Sequence, residues 1–145
     1  MVSERLASGL GYAGLLPFAA GAVGVWVFRG YPQALAQQGF LVYSLAILCF
    51  LAGTLWGSAP QSPVADAPPR LLVSNGVVLF AVLGFLTAQP VVAALLLLVG
   101  HLAQLWYELN TTAVGWYRRL RRRLTLSAGL LHGVYVAGLV AVRPA

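Results

Sequence analysis

Five apolar runs, each long enough to cross a bilayer, restrict what this chain can fold into. They cover residues 8–28, 39–57, 70–88, 91–107 and 124–142. At a rise of 1.5 Å per residue, about 20 helical residues bridge a hydrocarbon core about 30 Å thick. Composition points the same way. The chain is 60% hydrophobic and 8% charged, whereas a soluble domain carries about 25% charged residues. Too little polar surface exists to clothe a water-soluble globule. The spacing therefore predicts an all-α fold: a single membrane domain over residues 1–145, built as an integral bundle of five transmembrane helices.

The first run holds Pro17, which should kink its helix. Arg5 before an apolar stretch and Ala20-Gly21-Ala22 after it mimic a signal peptide, but the run continues to Phe28, too long for such a segment. Residues 29–38, with Tyr31-Pro32 and three glutamines, read as a polar connection, and residues 58–69, with four prolines, read as a loop. Gln89-Pro90 separates the third and fourth spans by so little that they must form a tight antiparallel hairpin.

The charge is concentrated. All nine basic residues are arginine, and Arg118, Arg119, Arg121, Arg122 and Arg123 fall within six positions. Ala113, Trp116, Tyr117, Leu120 and Leu124 recur at three- and four-residue intervals through the same stretch. This pattern predicts a short amphipathic interfacial helix over residues 113–123, before the fifth span or running straight into it. Trp116, Tyr117, Arg118, Arg119, Arg121, Arg122 and Arg123 would contact anionic lipid headgroups. With five spans, Arg5, Arg70 and the cluster share one side of the bilayer, against Arg29 and Arg143 on the other. Seven against two places the N-terminus inside and the C-terminus outside. The expected location is a bacterial inner membrane. The basic balance implies lipid rather than nucleic acid.

Small residues recur four apart: Gly53 and Gly57 on the second span, and Gly129, Gly133, Ala137 and Ala141 on the fifth, with Gly9/Ala13 and Ala20/Gly24 on the first. Such stripes let helix backbones approach closely, within the bundle or against a partner subunit. His101 and His132 are the only histidines, and both lie within spans. Each sits about 10–12 Å from the inner boundary at 1.5 Å per residue. Two such imidazoles could ligate a haem iron, contact a quinone headgroup, or be satisfied by polar groups across the bundle. Gln104 and Glu108 continue the ridge from His101 toward the surface, where Glu108 is placed to pair with the arginine cluster. Ser74 and Asn75 suit interhelical hydrogen bonds.

Enzyme signatures are missing. No glycine-rich phosphate loop, metal-type cluster or nucleophile beside a base occurs, and there are only three carboxylates. The lone Cys49 allows no internal disulfide. The leading expectation is a multipass protein without enzymatic activity, a structural or assembly partner in a larger membrane complex, and no cofactor is expected. The alternative is a haem- or quinone-binding module using His101 and His132. A small transporter is the weaker third, since few ionisable groups or helix breaks lie in the spans.

Three segments carry a family resemblance. Leu10–Phe18 resembles the "LGxAGLxPF" opening of the small membrane proteins grouped as domain of unknown function 3429, which include mitochondrial transmembrane protein 69. Tyr43–Gly57 is similar to that family's "YGxxILSFLGGxxWG" segment, and Trp116–Thr125 to its "WYxxLRxxLT" segment. Ser44, Cys49 and Ala52 stand where the family pattern usually has Gly, Ser and Gly, and Leu55 stands where it often has a polar or basic residue. The resemblance implies a five-span inner-membrane protein and no particular activity.

Overall fold

The computed structural model describes residues 3–142. They form six α-helices: α1 (Glu4–Ala13), α2 (Leu16–Val27), α3 (Gly30–Ser58), α4 (Ala67–Thr87), α5 (Pro90–Thr111) and α6 (Gly115–Ala141), with a 3-10 turn at Ala59–Gln61. Taken together, α1 and α2 make the first of five helical segments long and apolar enough to cross a membrane, and α3 to α6 make the others. Arg143, counted above for orientation, lies outside the described residues.

The first span is broken rather than merely kinked. The break falls at Gly14-Leu15, and Pro17 sits in the opening turn of α2, where its missing N–H is harmless. The Tyr43 hydroxyl on α3 donates to the Gly14 carbonyl at 2.7 Å, so a neighbouring helix satisfies an acceptor at the break.

The expected connection over residues 29–38 is mostly helix. Gly30, at φ +63°, makes the turn out of α2, and α3 begins there. Glutamine and alanine are good helix formers, and the polar side chains find work. The Gln33 amide donates to the Val25 carbonyl at 2.9 Å, one of the last four carbonyls of α2 that lack an intrahelical donor. The Tyr135 hydroxyl donates to the Gln37 carbonyl at 2.9 Å.

Of the two arrangements expected for the helix over 113–123, the structure has the one that runs straight into the fifth span. The arginine stretch forms the first turns of α6, and one continuous helix runs from Gly115 to Ala141. Neither Pro nor Gly interrupts residues 116–128, so nothing in the stretch breaks the i to i−4 ladder.

The helices pack as a ring. α2 meets α3, α3 meets α4, α4 meets α5, α5 meets α6, and α6 returns to α2, while α3 also touches α5 across the middle. Phe18, Phe40, Leu48, Leu97 and Tyr135 fill the centre, and Phe40 stacks on Tyr135 with ring centroids 4.1 Å apart. Ser74 donates to the Ala52 carbonyl at 2.7 Å, and the Trp56 indole donates to Asn75 at 3.2 Å, which ties α4 to α3 through the two residues expected for it.

Candidate functional site

The two histidines meet. On the antiparallel pair α5 and α6, the ring centroids of His101 and His132 lie 5.5 Å apart, and both residues are buried. Ser44 of α3 completes the group: its hydroxyl oxygen is 3.1 Å from Nε2 of His101 and 2.8 Å from Nε2 of His132. The tautomers follow from elementary bookkeeping of protons. Nδ1 of His132 lies 2.7 Å from the Ala128 carbonyl, which can only accept, so Nδ1 carries the proton. Nε2 of a neutral His132 is then an acceptor and takes the single Ser44 proton. Nε2–H of His101 must in turn donate to the Ser44 oxygen. Nδ1 of His101 is left as a lone-pair acceptor with no partner among the described residues.

A second polar group lies below it. The Gln104 amide donates to Glu108 at 2.7 Å and to the Leu51 carbonyl at 3.2 Å. Nε of Arg121 donates to Glu108 at 2.6 Å, Nη2 to the same carboxylate at 3.3 Å, and Nη1 to the Thr125 hydroxyl at 3.0 Å. Glu108 and Arg121 keep only 3% and 5% of their surface exposed, so the pair is enclosed and its net charge is zero. Oε1 of Gln104 is buried without a donor.

Both groups border a cavity of about 570 Å³ between α1, the start of α2, α3, α5 and α6. His101, Thr125, Arg121, Tyr117, Tyr43 and Thr54 supply its polar side chains, and the remaining lining is apolar. Leu10 and Phe50, at 66% and 69% exposure, line the same cavity from the outer surface of the bundle. A molecule would therefore enter sideways, through the face the bundle turns to lipid. The volume falls within the range of small-molecule sites, about 300–1,000 Å³, and such sites combine an apolar wall with a few aimed polar groups. The break at Gly14-Leu15 helps make this space, because both residues line it.

Of the residues expected at a ligand site, His101 lines the cavity. His132, Gln104 and Glu108 stand behind it as supports. A haem does not fit between the histidines. The serine hydroxyl occupies the space between the two Nε2 atoms, and Phe18 and Phe40 pack against the His132 ring at centroid distances of 5.5 and 4.9 Å. No porphyrin plane can pass there. Among the described residues, no three of His, Cys, Asp and Glu gather as a metal site requires.

Arg121 departs from its expected place among lipid headgroups. It turns inward because Glu108 and Thr125 lie across from it on the buried side of α6. Arg118, Arg119, Arg122 and Arg123 are exposed, and Trp116 and Tyr117 are half-buried with their rings edge to face. The small-residue stripes divide too. Gly129 packs on Leu98, while Gly53, Gly57 and Gly133 meet no neighbour within 4 Å, and Ala137 and Ala141 are exposed beside Gly133.

Ser44, Thr125 and Tyr43 join the site although nothing in the apolar pattern marks them as site residues. A hydroxyl in mid-span is the signal that could have found Ser44, since a buried hydroxyl in lipid needs a partner. The family model described as "Protein of unknown function (DUF3429)" matches residues 3–137. No curated protein and no solved structure matches the chain.

Proposed function

We propose, on the premise that the chain belongs to the DUF3429 family, that it is a membrane module that takes a small amphipathic molecule from the bilayer into the cleft beside His101. The observation that carries this reading is the cavity itself: an apolar chamber of about 570 Å³ with a half-satisfied histidine on its wall and exposed Leu10 and Phe50 on its rim. A buried polar relay with one acceptor left open beside an apolar chamber suits a ligand that meets both, since a buried polar atom without a partner is costly. A headgroup of the quinone/quinol class with an apolar tail suits such a chamber in size, and its reduced form can donate to His101. No step of chemistry is required of the residues. They bind, orient and exclude water.

The exposed arginines at the start of α6 would hold that end of the bundle against anionic headgroups, each contributing about 1 kcal/mol near a charged surface. Arg70 donates to the Thr111 carbonyl at 3.3 Å, so the start of α4 and the end of α5 share that end of the molecule. A single basic end of this kind supports the N-terminus inside, in a bacterial inner membrane as the proposed location. A structural or assembly role in a larger complex is compatible with the binding role. It is favoured by the outward stripe Gly133, Ala137 and Ala141 on α6.

The test is to fill the mouth of the cleft. Thr54 is exposed and lines the cavity, so Thr54→Trp should plug it without disturbing the core. Protein purified in mild detergent, extracted with organic solvent and assayed by mass spectrometry should yield a near-stoichiometric amphiphile from wild type and several-fold less from Thr54→Trp. Identical extracts from both proteins would defeat the proposal.

A further inference from the structure

We infer that the cleft selects a molecule that donates a hydrogen bond, an aromatic alcohol of phenol or quinol type carrying an apolar tail, and that Ser44 sets this selection. The inference rests on the cleft being a binding site and adds the polarity of its ligand. Its source is the direction of the proton chain. The Ala128 carbonyl fixes the proton of His132 on Nδ1. That fixes the Ser44 hydroxyl as donor to Nε2 of His132 and as acceptor from Nε2–H of His101. His101, the member of the pair that lines the cavity, then offers Nδ1 as a bare acceptor. Reversing any one link would leave two protons, or none, in one hydrogen bond. The chain thus has a single sense, imposed by a backbone carbonyl that cannot donate.

The other polar side chains on the cavity wall, the Tyr43, Tyr117, Thr54 and Thr125 hydroxyls and the Arg121 guanidinium, all carry protons, so none of them is the proton-free acceptor that Nδ1 of His101 is. All three donor-bearing nitrogens of Arg121 are engaged by Glu108 and Thr125. The Tyr43 hydroxyl is spent on the Gly14 carbonyl, and the Thr54 hydroxyl on the Leu51 carbonyl. An anionic headgroup would find no free cation here, and a carbonyl-only headgroup would find no free donor at His101. The aromatic character follows from the surroundings: Phe18 lies edge to face against both Tyr43, at 4.9 Å between centroids, and His101, at 6.2 Å. Those rings line the cavity, and a flat ring packs well among them.

The experiment uses the full chain in lipid nanodiscs and a matched pair of probes, 4-nonylphenol and its methyl ether, which differ only in the O–H. Equilibrium dialysis should find the phenol bound about tenfold more tightly, the difference expected for one buried hydrogen bond lost with its acceptor left unpaired. In Ser44→Ala, His101 is free to carry its proton on Nδ1, and the preference should fall below about threefold. If neither probe binds, the cleft is not a site for amphiphiles and the inference falls with that reading. If both bind equally to wild type, the cleft stands and the assignment of donor and acceptor is wrong. A preference that survives Ser44→Ala unchanged would show that Ser44 does not set it. Should Ser44→Ala fail to fold, nitrogen-15 NMR of wild-type histidines decides the point. A proton on Nε2 of His101 and none on Nδ1 supports the chain, and the opposite tautomer overturns it.

Discussion

At the scale of single residues, Glu108 and Arg121 show how a membrane bundle tolerates charge. Each ion alone would be costly to enclose, and the pair is held because three side-chain donors converge on one carboxylate from two helices, Gln104 on α5 and the Arg121 guanidinium on α6. Removing one partner leaves the other charge enclosed. Glu108→Gln should therefore lower stability by about 3–5 kcal/mol, whereas the double change Glu108→Leu with Arg121→Met should cost markedly less. Thermal unfolding of the three proteins in one detergent measures this, and a loss below about 1 kcal/mol in Glu108→Gln would mean that water reaches the pair. Glu108 was legible as a partner for the arginine cluster from its position at the end of an apolar run. Which of five arginines it takes was not, because the answer depends on the angle at which α5 and α6 cross.

At the scale of elements, α2 and α3 are held by close contact along their seam as well as by the Gln33 hydrogen bond. A Cβ added at Gly24 would lie 2.8 Å from the Ala36 Cβ, and that atom has no freedom to move away. Gly24→Ala gains about 1 kcal/mol in helix propensity but overpacks the seam, which costs about 1–3 kcal/mol. The second effect wins, and the melting temperature in detergent should fall. Gly53→Ala serves as the control, since nothing lies within 4 Å of it, and it should be neutral or slightly stabilising. A stabilised Gly24→Ala would show that α2 and α3 do not pack as closely as described. The four-residue spacing of small residues was visible in the sequence for both positions. Spacing alone gave Gly53 and Gly24 the same standing, and only the packing separates a seam from an open face. The α1–α2 break was half legible. Pro17 announced a disruption, but its place three residues earlier depends on Tyr43 from another helix supplying a donor there.

At the scale of the whole molecule, the question is how the bundle sits in its membrane. Five crossings would put the termini on opposite sides, and the exposed Arg118, Arg119, Arg122 and Arg123 mark one end of the bundle. Paired reporter fusions should place the N-terminus on the inside and the C-terminus on the outside. Changing those four arginines to glutamine should scramble the assignment in a measurable fraction of molecules, while Arg121→Gln should not, since that charge is already neutralised by Glu108. Reporters that ignore all five changes would remove charge as the cause of orientation.

Length and hydropathy by themselves determined that this chain is a bundle of five membrane-crossing helical segments, because a bilayer of fixed thickness demands runs of fixed length and tolerates little else. They also set His101 and His132 at one depth, since antiparallel helices joined by a short linker share a boundary. What only the tertiary structure decided is what those side chains do. The packing of α3 across the seam of α5 and α6 brings Ser44 to both rings, the facing of α5 and α6 turns Arg121 inward to Glu108, and a cleft opens beside the broken first span. Those outcomes depend on the rotation of each helix about its own axis. That rotation is fixed by the fit of side chains from three or more helices at once, which hydrophobic pattern along one strand of sequence does not encode.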